Sequence, residues 1–323
     1  MSMVSVIIPL YNKRSFVDRA IDSIFAQTFQ DFEIVVVDDG STDNGPEIVK
    51  CYKDSRMRLI HQPNAGPGAA RNTGVRQSSS PYVAFLDADD EWLPDFLQYS
   101  LANLRNNPDC VLNVVNHYRG KDKILATTVP PFNIGISTGP WQLSPELEVK
   151  EMWGSFFYLQ SSVMVCRRDV VLEFGGFYEH HCTYMEDQYL WLQVLLKYRI
   201  YRDTTPLYWY HTEDSDLVGP NRILPRPLFP FLAEPEPIRK NCPVYYRLTL
   251  EKLLSYAAFL NFPIMISQGD LSAARYLLKQ FPMMRDFGED LGWMYIKLRI
   301  KVALPWLIPY VRVVKQFILG VCR

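Results

Sequence analysis

The first part of the chain alternates short apolar runs with segments of helical spacing. Residues 4–10, 32–37 and 82–86 are almost unbroken apolar runs, which are typical of strands buried on both faces of a sheet. Between the first two runs, apolar residues at 16, 17, 20, 21 and 24 follow the spacing of an amphipathic helix. Strands that alternate with helices predict an α/β fold with a mostly parallel sheet flanked by helices.

The same alternation continues as far as residue 211. We predict strands at 58–61, 110–116, 156–165 and 207–211, and helices at 46–53, 94–106, 168–174 and from Glu186 onward. In such sheets ligands bind outside the carboxyl ends of the strands. Polar clusters follow the first, second and fourth predicted strands, so a ligand site is expected there.

The last third of the chain has a different pattern. Residues 219–243 contain seven prolines in 25 positions, which predicts a stiff loop rather than a core element. From Tyr245 onward the pattern is helical, with Asp270 as the expected N-cap of one helix. We therefore predict an α/β domain over 1–218, a proline-rich linker or functional loop over 219–244, and an all-helical region over 245–323.

Composition limits the class of protein. The 323 residues are 48% hydrophobic and 21% charged, as in ordinary globular proteins, and the net charge of −1 argues against a nucleic-acid binder. Six cysteines without a CxxC pair indicate reduced thiols in a cytoplasmic protein. No signal peptide is expected, because the first predicted strand begins almost at once.

The segment 291–323 is basic and rich in large apolar residues. It holds six Lys or Arg residues and no acid, together with Trp293, Trp306 and Phe317. Such a segment suits the anionic surface of a membrane, and it suits equally a pair of helices that packs on the domain. The first alternative would place the protein peripherally at the inner face of the plasma membrane.

Three carboxylates follow the strand predicted at 82–86. Asp87, Asp89 and Asp90 lie within four residues, and carboxylates that close repel one another unless a cation lies among them. Hard oxygen ligands at this position suit Mg²⁺ or Mn²⁺. The alternative is an acidic turn that favours the N-terminus of the helix predicted after it.

A Gly-rich phosphate loop of the GxGxxG or GxxxxGK[ST] type does not follow the first strand, which disfavours a Rossmann dehydrogenase and a P-loop phosphotransferase. The strand ends instead in Pro9-Leu10-Tyr11-Asn12. Tyr11 could stack on a base and Asp39 could accept a hydrogen bond from a pyrimidine. The alternative is that Tyr11 belongs to the core and Asp39 caps a turn at Gly40.

Taken together, these motifs resemble those of a GT-A-fold glycosyltransferase of family 2. The resemblance covers residues 3–215. The motifs that carry it, in family order and spacing, are residues 4–12 (VSVIIPLYN), 36–43 (VVDDGSTD), 68–72 (GAARN), 85–90 (FLDADD), 175–177 (GGF) and 186–187 (ED).

The resemblance implies an inverting transfer of a sugar from a nucleotide-sugar, usually a UDP-sugar, to an acceptor hydroxyl. It assigns Pro9, Tyr11 and Asn12 to the nucleoside pocket, Asp39 to the uracil, and Arg71 to the base or the pyrophosphate. The acceptor is expected to be a saccharide or a lipid-linked saccharide of a bacterial surface polysaccharide.

The resemblance also implies the groups that carry the chemistry. Asp87 would face the ribose and sugar, Asp89 would bind the Mn²⁺ or Mg²⁺ ion, and Asp187 would be the general base. A diphosphate leaving group needs its charge neutralised, and an attacking hydroxyl must lose its proton, so these groups suit the reaction. His211 is either a further ligand of the metal or pyrophosphate, or a structural histidine.

Two other readings remain open at this point. A nucleotidyltransferase on a related sheet would need a Gly-rich basic loop after the first strand, and residues 11–14 supply only the basic residues. A non-catalytic glycan-binding or scaffolding relative would keep the fold without the chemistry. The joint retention of Asp39, Asp87, Asp89 and Asp187 argues against it.

Overall fold

A computed structural model describes residues 2–128, 135–180, 182, 184–215 and 227–287. The chain divides into two compact units, Met1–Arg247 and Leu248–Arg323. The first unit contains the sheet and every motif of the sequence analysis. The second is helical over its described residues, as predicted.

Ten strands form one sheet in the described part of the chain: β1 (Val4–Leu10), β2 (Phe32–Asp38), β3 (Met57–His61), β4 (Tyr82–Phe85), β5 (Glu91–Trp92), β6 (Cys110–Arg119), β7 (Ile124–Leu125), β8 (Gly139–Trp141), β9 (Met164–Arg167) and β10 (Arg199–Tyr210). Their order in the sheet is β3-β2-β1-β4-β9-β6-β10-β5, with β7 beside β6 and β8 beside β10.

The first four strands in chain order pair in parallel, as the alternating pattern predicts. Beyond them the sheet is mixed, because β9 lies antiparallel to both β4 and β6, while β10 runs parallel to β6. The carboxyl ends of β1, β2 and β4 therefore meet at one edge of the sheet. The chain segments that follow these three ends carry the polar clusters.

Helices cover the sheet and build the second unit. The helices are α1 (Val17–Phe25), α2 (Gly45–Cys51), α3 (Pro67–Gln77), α4 (Phe96–Asn106), α5 (Val149–Phe157), α6 (Arg168–Glu173), α7 (Glu186–Lys197), α8 (Pro230–Ala233), α9 (Glu236–Asn241), α10 (Arg247–Gln268) and α11 (Leu271–Gln280). As predicted, the Asp270 side chain caps α11 by accepting a hydrogen bond of 2.9 Å from the Ala273 amide.

The strand predicted at 156–165 is wrong. Helix α5 occupies the start of this range, a 3₁₀ turn follows at Ser161–Val163, and only β9 is a strand. The apolar residues Met152, Trp153 and Phe156 lie on one buried face of α5. Their helical spacing begins before residue 156, and it extends the helix into the first residues of the predicted strand.

The proline-rich segment also differs from the predicted loop over its described residues. Helices α8 and α9 each carry proline in their first turn, where no intrahelical N–H is lost. Phe231 is buried and packs edge-to-face on Phe156 with ring centroids 5.6 Å apart. This part of the segment therefore belongs to the packed core of the first unit.

None of the described helices combines the length and the apolar character needed to cross a membrane. The segment 291–323, which the sequence assigns either to a membrane surface or to a packed helical pair, lies outside the described residues.

Helix α3 approaches the sheet closely because small residues face it. A Cβ atom added at Gly74 would overlap the side chain of Ile7 in β1 well inside van der Waals contact. Ala70 on the same face is fully buried. Small side chains thus set the depth of α3, which carries Arg71 and Asn72 into the interior of the first unit.

We expect Gly74→Ala to destabilise the protein by about 1–3 kcal/mol, because the methyl group overpacks the contact with Ile7. In an open helix the same change would be stabilising by up to about 1 kcal/mol. Urea unfolding measures the difference, with Gln77→Ala, an exposed position of the same helix, as the control. A Gly74→Ala variant as stable as the wild type would show that α3 is not set by this contact.

Candidate active site

The polar turns after β1 and β2 are fastened to each other. Asn12 has a left-handed backbone (φ 52°), and its Oδ1 accepts hydrogen bonds from the amides of Thr42 at 2.7 Å and Asp43 at 3.3 Å. Tyr11 before it is 47% exposed, so it is not a core residue. Its ring is accessible for stacking on a ligand at the edge of the sheet.

Asp39 is buried and supports the loop before α3. Its carboxylate accepts hydrogen bonds from Gln62 Nε2 at 2.7 Å and from the amides of Ala65 at 3.0 Å and Gly66 at 2.8 Å. It therefore does more than cap the turn at Gly40. A carboxylate offers about four acceptor positions, so one remains for a ligand such as a base.

Arg71 of α3 joins two carboxylates at the centre of the site. Its Nη1 donates to Glu186 Oε1 and its Nη2 donates to Asp87 Oδ1, both at 2.6 Å. The residue is 4% exposed. Burial lowers the pKa of the guanidinium, but Asp87 and Glu186 outweigh burial and raise the pKa above its ordinary value. The cation is therefore permanent, and it lies against both carboxylates at hydrogen-bond distance.

The next residue of α3 holds the Gly-Gly-Phe turn. The Asn72 side chain accepts a hydrogen bond from the Phe177 amide and donates one to the Phe177 carbonyl, both at 2.8 Å. Gly176 has φ 88°, and a Cβ atom there would collide with Asn72. The glycine is required by this close approach as well as by its backbone conformation.

Two consecutive serines connect Asp87 with Asp187. The Asp87 amide donates to Ser162 Oγ at 3.2 Å, and Asp187 Oδ2 accepts from the Ser161 amide and hydroxyl, both at 3.3 Å. Sequence reasoning missed both serines, because they lie in the segment predicted as a strand. Only the polar pair Ser161-Ser162 within an apolar run could have indicated them.

Asp187 has a raised proton affinity. Burial and the neighbouring Glu186 carboxylate raise its pKa to about 7, although Arg71 and the Ser161 hydrogen bond act in the opposite direction. A carboxylate with a pKa near neutrality accepts a proton from a hydroxyl more readily than an ordinary carboxylate, and about half of it is still ionised at neutral pH. This is the property required of the general base that the sequence predicts here.

Asp89 and Asp90 have different partners. Asp89 Oδ2 lies 2.8 Å from the ammonium of Lys13, and Asp90 accepts hydrogen bonds from the Tyr208 hydroxyl and from the His211 amide at 2.9 Å. Burial and the nearby carboxylates raise the pKa of Asp90 well above its usual range. Asp90 thus fixes the end of β10 beneath the site, a role that the sequence did not reveal.

His211 offers a buried ring nitrogen. Its Nε2 has no hydrogen-bond partner and lies 3.5 Å from Glu91 Oε1, while its ring stacks on Trp209 with centroids 4.3 Å apart. The described residues contain no group of three His, Cys, Asp or Glu side chains arranged to hold a metal ion. Mg²⁺ and Mn²⁺ sites commonly use only one or two carboxylates plus phosphate oxygens, so Asp89 with the 38% exposed Asp87 suits such an ion without a third protein ligand.

The sequence comparison places the chain in a family. The family model described as Glycosyl transferase family 2 matches residues 5–174, which include the turns after β1, β2 and β4. The chain belongs to glycosyltransferase family 2. Curated relatives agree: an uncharacterized glycosyltransferase of Rickettsia felis is 45% identical over 105 residues, 32% of this chain and 17% of the relative.

A second relative, the uncharacterized glycosyltransferase EpsJ of Bacillus subtilis, is 44% identical over 90 residues, 27% of this chain and 26% of the relative. The matched segments therefore span well under two thirds of these relatives.

Solved structures show the same fold. S. aureus TarS 1–349 in complex with UDP-GlcNAc matches with a TM-score of 0.68 at 19% identity, over 88% of this chain and 81% of TarS 1–349. The mannosyltransferase PcManGT from Pyrobaculum calidifontis, in complex with GDP-Man and Mn²⁺, matches with a TM-score of 0.52 at 16% identity, over 96% and 87% of the two chains. The predicted GT-A-like fold with C-terminal helices is thereby confirmed.

We expect Arg71→Met to destabilise the protein by about 3–5 kcal/mol, because it breaks both ion pairs of Arg71 and leaves the buried Glu186 carboxylate without its cation. Arg76→Met is the matched control, since Arg76 lies in the same helix and pairs with Glu179 at an exposed position. The control should lose about 0–1 kcal/mol. Equal losses in urea unfolding would contradict the structural role of Arg71.

Proposed function

We propose that this family 2 member is a metal-dependent inverting glycosyltransferase. It moves a hexose or N-acetylhexosamine from a nucleotide-sugar, a UDP-sugar in the first instance, to a hydroxyl of a saccharide or lipid-linked saccharide. The observation that carries the proposal is the arrangement of carboxylates: Ser161 holds Asp187, and Arg71 binds both the adjacent Glu186 and Asp87. Residues 1–218 would form the nucleotide-sugar-binding and catalytic domain.

The donor would lie along the carboxyl ends of β1, β2 and β4. Pro9, Tyr11 and Asn12 would form the wall of the nucleoside pocket, and the remaining acceptor position of Asp39 would bind the base. The exposed part of Asp87 would face the ribose and the sugar. The complexes of TarS with UDP-GlcNAc and of PcManGT with GDP-Man and Mn²⁺ support a nucleotide-sugar donor, without deciding between UDP and GDP.

Asp89 and His211 would hold the Mn²⁺ or Mg²⁺ ion. When bound, the ion would neutralise the negative charge that develops on the leaving diphosphate. Arg71 keeps Asp87 in place and adds positive charge to the same region. The family resemblance assigns Arg71 to the base or the pyrophosphate. Because both of its terminal nitrogens already donate to carboxylates, we favour a positioning role over direct contact with the pyrophosphate.

The chemical step is a single displacement. The acceptor oxygen forms a bond to the anomeric carbon as the bond from that carbon to the phosphate oxygen breaks, and Asp187 takes the hydroxyl proton. Ser161 and the Gln188 amide hold the Asp187 carboxylate in one orientation during this transfer. Attack from the face opposite the leaving diphosphate inverts the anomeric centre, and no enzyme nucleophile is required.

The alternatives receive less support. Family membership and the absence of a Gly-rich basic loop after β1 disfavour a nucleotidyltransferase. The cluster of Asp187, Glu186, Arg71 and Asp87 beside the proposed donor site favours a catalytic member over a non-catalytic relative. A role in bacterial surface polysaccharide synthesis, with the lipid-linked acceptor reached through residues 291–323, remains a prediction from the sequence.

Titration calorimetry with UDP, GDP and dTDP, with and without Mn²⁺, tests the donor site. One nucleotide should bind in a metal-dependent manner, and Asp89→Ala should abolish that dependence because it removes the carboxylate ligand. Asp109→Ala, at an exposed surface ion pair, is the control and should bind like the wild type. Absence of binding by the folded wild type to all three would favour the non-catalytic alternative.

Asp187→Asn should lower kcat by a factor on the order of 10²–10⁴ and leave nucleotide affinity unchanged, because the amide cannot accept the proton. In the wild type, kcat/KM should rise with pH through about 7 as Asp187 of the free enzyme loses its proton, and this limb should vanish in the variant. Asp169→Asn, an exposed position, is the control. Full turnover by Asp187→Asn would remove Asp187 from the role of base.

A further inference from the structure

Lys13 pairs with the carboxylate that the proposed metal ion would use. Its Nζ lies 2.8 Å from Asp89 Oδ2, and the two side chains are only 15% and 13% exposed, so water screens the pair weakly. The same ammonium donates a hydrogen bond of 3.1 Å to the Asp214 carbonyl, beyond the end of β10. Lys13 therefore lies between the turn after β1, the acidic cluster and the segment that follows His211.

The backbone directs Lys13 to this position. The left-handed conformation of Asn12 turns the chain sharply, and the Lys13 carbonyl accepts hydrogen bonds from the amides of Phe16 and Val17, both at 3.0 Å. These contacts hold the backbone of Lys13, and its charge lies at the end of a flexible side chain. Its four-carbon stem and compact charge suit a cation that exchanges partners.

The neighbouring cation does not replace it. Arg19 donates to the main-chain carbonyl of Asp89 and pairs with Asp214 Oδ2 at 2.9 Å. Lys13 is therefore the side chain that neutralises the Asp89 carboxylate, while Arg71 neutralises Asp87. A dication placed on Asp89 would meet the Lys13 ammonium at close range, where like charges repel strongly because solvent is mostly excluded.

We propose that Lys13 and the divalent cation are alternative counter-ions of Asp89. Arrival of the metal displaces the ammonium, which becomes free to bind the diphosphate oxygens of the nucleotide. The inference rests on the proposed function, since it takes the metal at Asp89 and the diphosphate beside it as given. This exchange makes metal binding and nucleotide binding positively coupled. A metal ion that binds alone must break the ion pair of Lys13 with Asp89, whereas a bound nucleotide gives the displaced ammonium a new partner in its diphosphate.

Lys13→Met tests this competition without any measurement of turnover. By calorimetry, Mn²⁺ without nucleotide should bind the variant about tenfold more tightly than the wild type, and the gain in Mn²⁺ affinity on adding UDP should shrink by a similar factor. The metal-free variant should melt at a lower temperature, and Mn²⁺ should raise its Tm more than that of the wild type. Lys13→Gln, which keeps a donor for the Asp214 carbonyl, should shift Mn²⁺ affinity in the same direction and serves if the first variant folds poorly.

Lys53→Met, at an exposed surface position, is the control and should match the wild type in each measurement. Unchanged or weaker Mn²⁺ binding by both Lys13 variants, in a protein whose wild type binds UDP with Mn²⁺, would overturn the competition and leave the proposed function standing. A wild type without metal-dependent nucleotide binding would overturn both proposals.

Discussion

The ion pairs of Arg71 are the interaction on which the rest of the site depends. A guanidinium this deeply buried is tolerated only if its charge is matched by carboxylates with good hydrogen bonds. The two carboxylates come from different elements, since Asp87 follows β4 and Glu186 begins α7. The helix that supplies Arg71 is in turn placed by the close contact of Gly74 with β1. One charge thus fixes the relative positions of the sheet edge, α3 and α7.

The distribution of positive charge explains why the acids of the site differ. Asp87 and Glu186 share Arg71, and Asp89 pairs with Lys13. Among the described residues Asp187 forms no ion pair and receives only hydrogen bonds, so burial and the adjacent Glu186 raise its pKa. Asp187 is therefore suited to accept a proton partly because Arg71 and Lys13 pair with the other acids of the site and not with Asp187.

Much of the donor side could be predicted from the sequence, because it is local. The runs that became β1, β2 and β4 are apolar enough to be recognised, and parallel strands place their carboxyl ends together. The antiparallel insertion of β9 could not be predicted in this way, since strand pairing depends on how distant segments return to the sheet. The contacts of Ser161 with Asp187 and of Lys13 with Asp89 were missed for the same reason.

Asp39 shows a limit of a different kind. The sequence correctly places it at the end of β2, but three of its acceptor positions serve the loop before α3, a use that motif spacing does not reveal. The proline-rich segment shows the converse. Its composition predicts a loop, yet Phe231 packs in the core because prolines in the first turns of α8 and α9 do not oppose a helix.

Arg71 and Asn72 are consecutive residues of α3, and each reaches a different part of the first unit. Arg71 holds the carboxylates of the sheet edge and of α7, while Asn72 holds the Gly-Gly-Phe turn through both of its polar atoms. A small rotation of this helix would displace both sets of contacts together. Substitutions in α3 would therefore disturb the carboxylates bound by Arg71 and the turn bound by Asn72 at the same time. Engineering aimed at a new sugar or a new acceptor has more freedom in the loops.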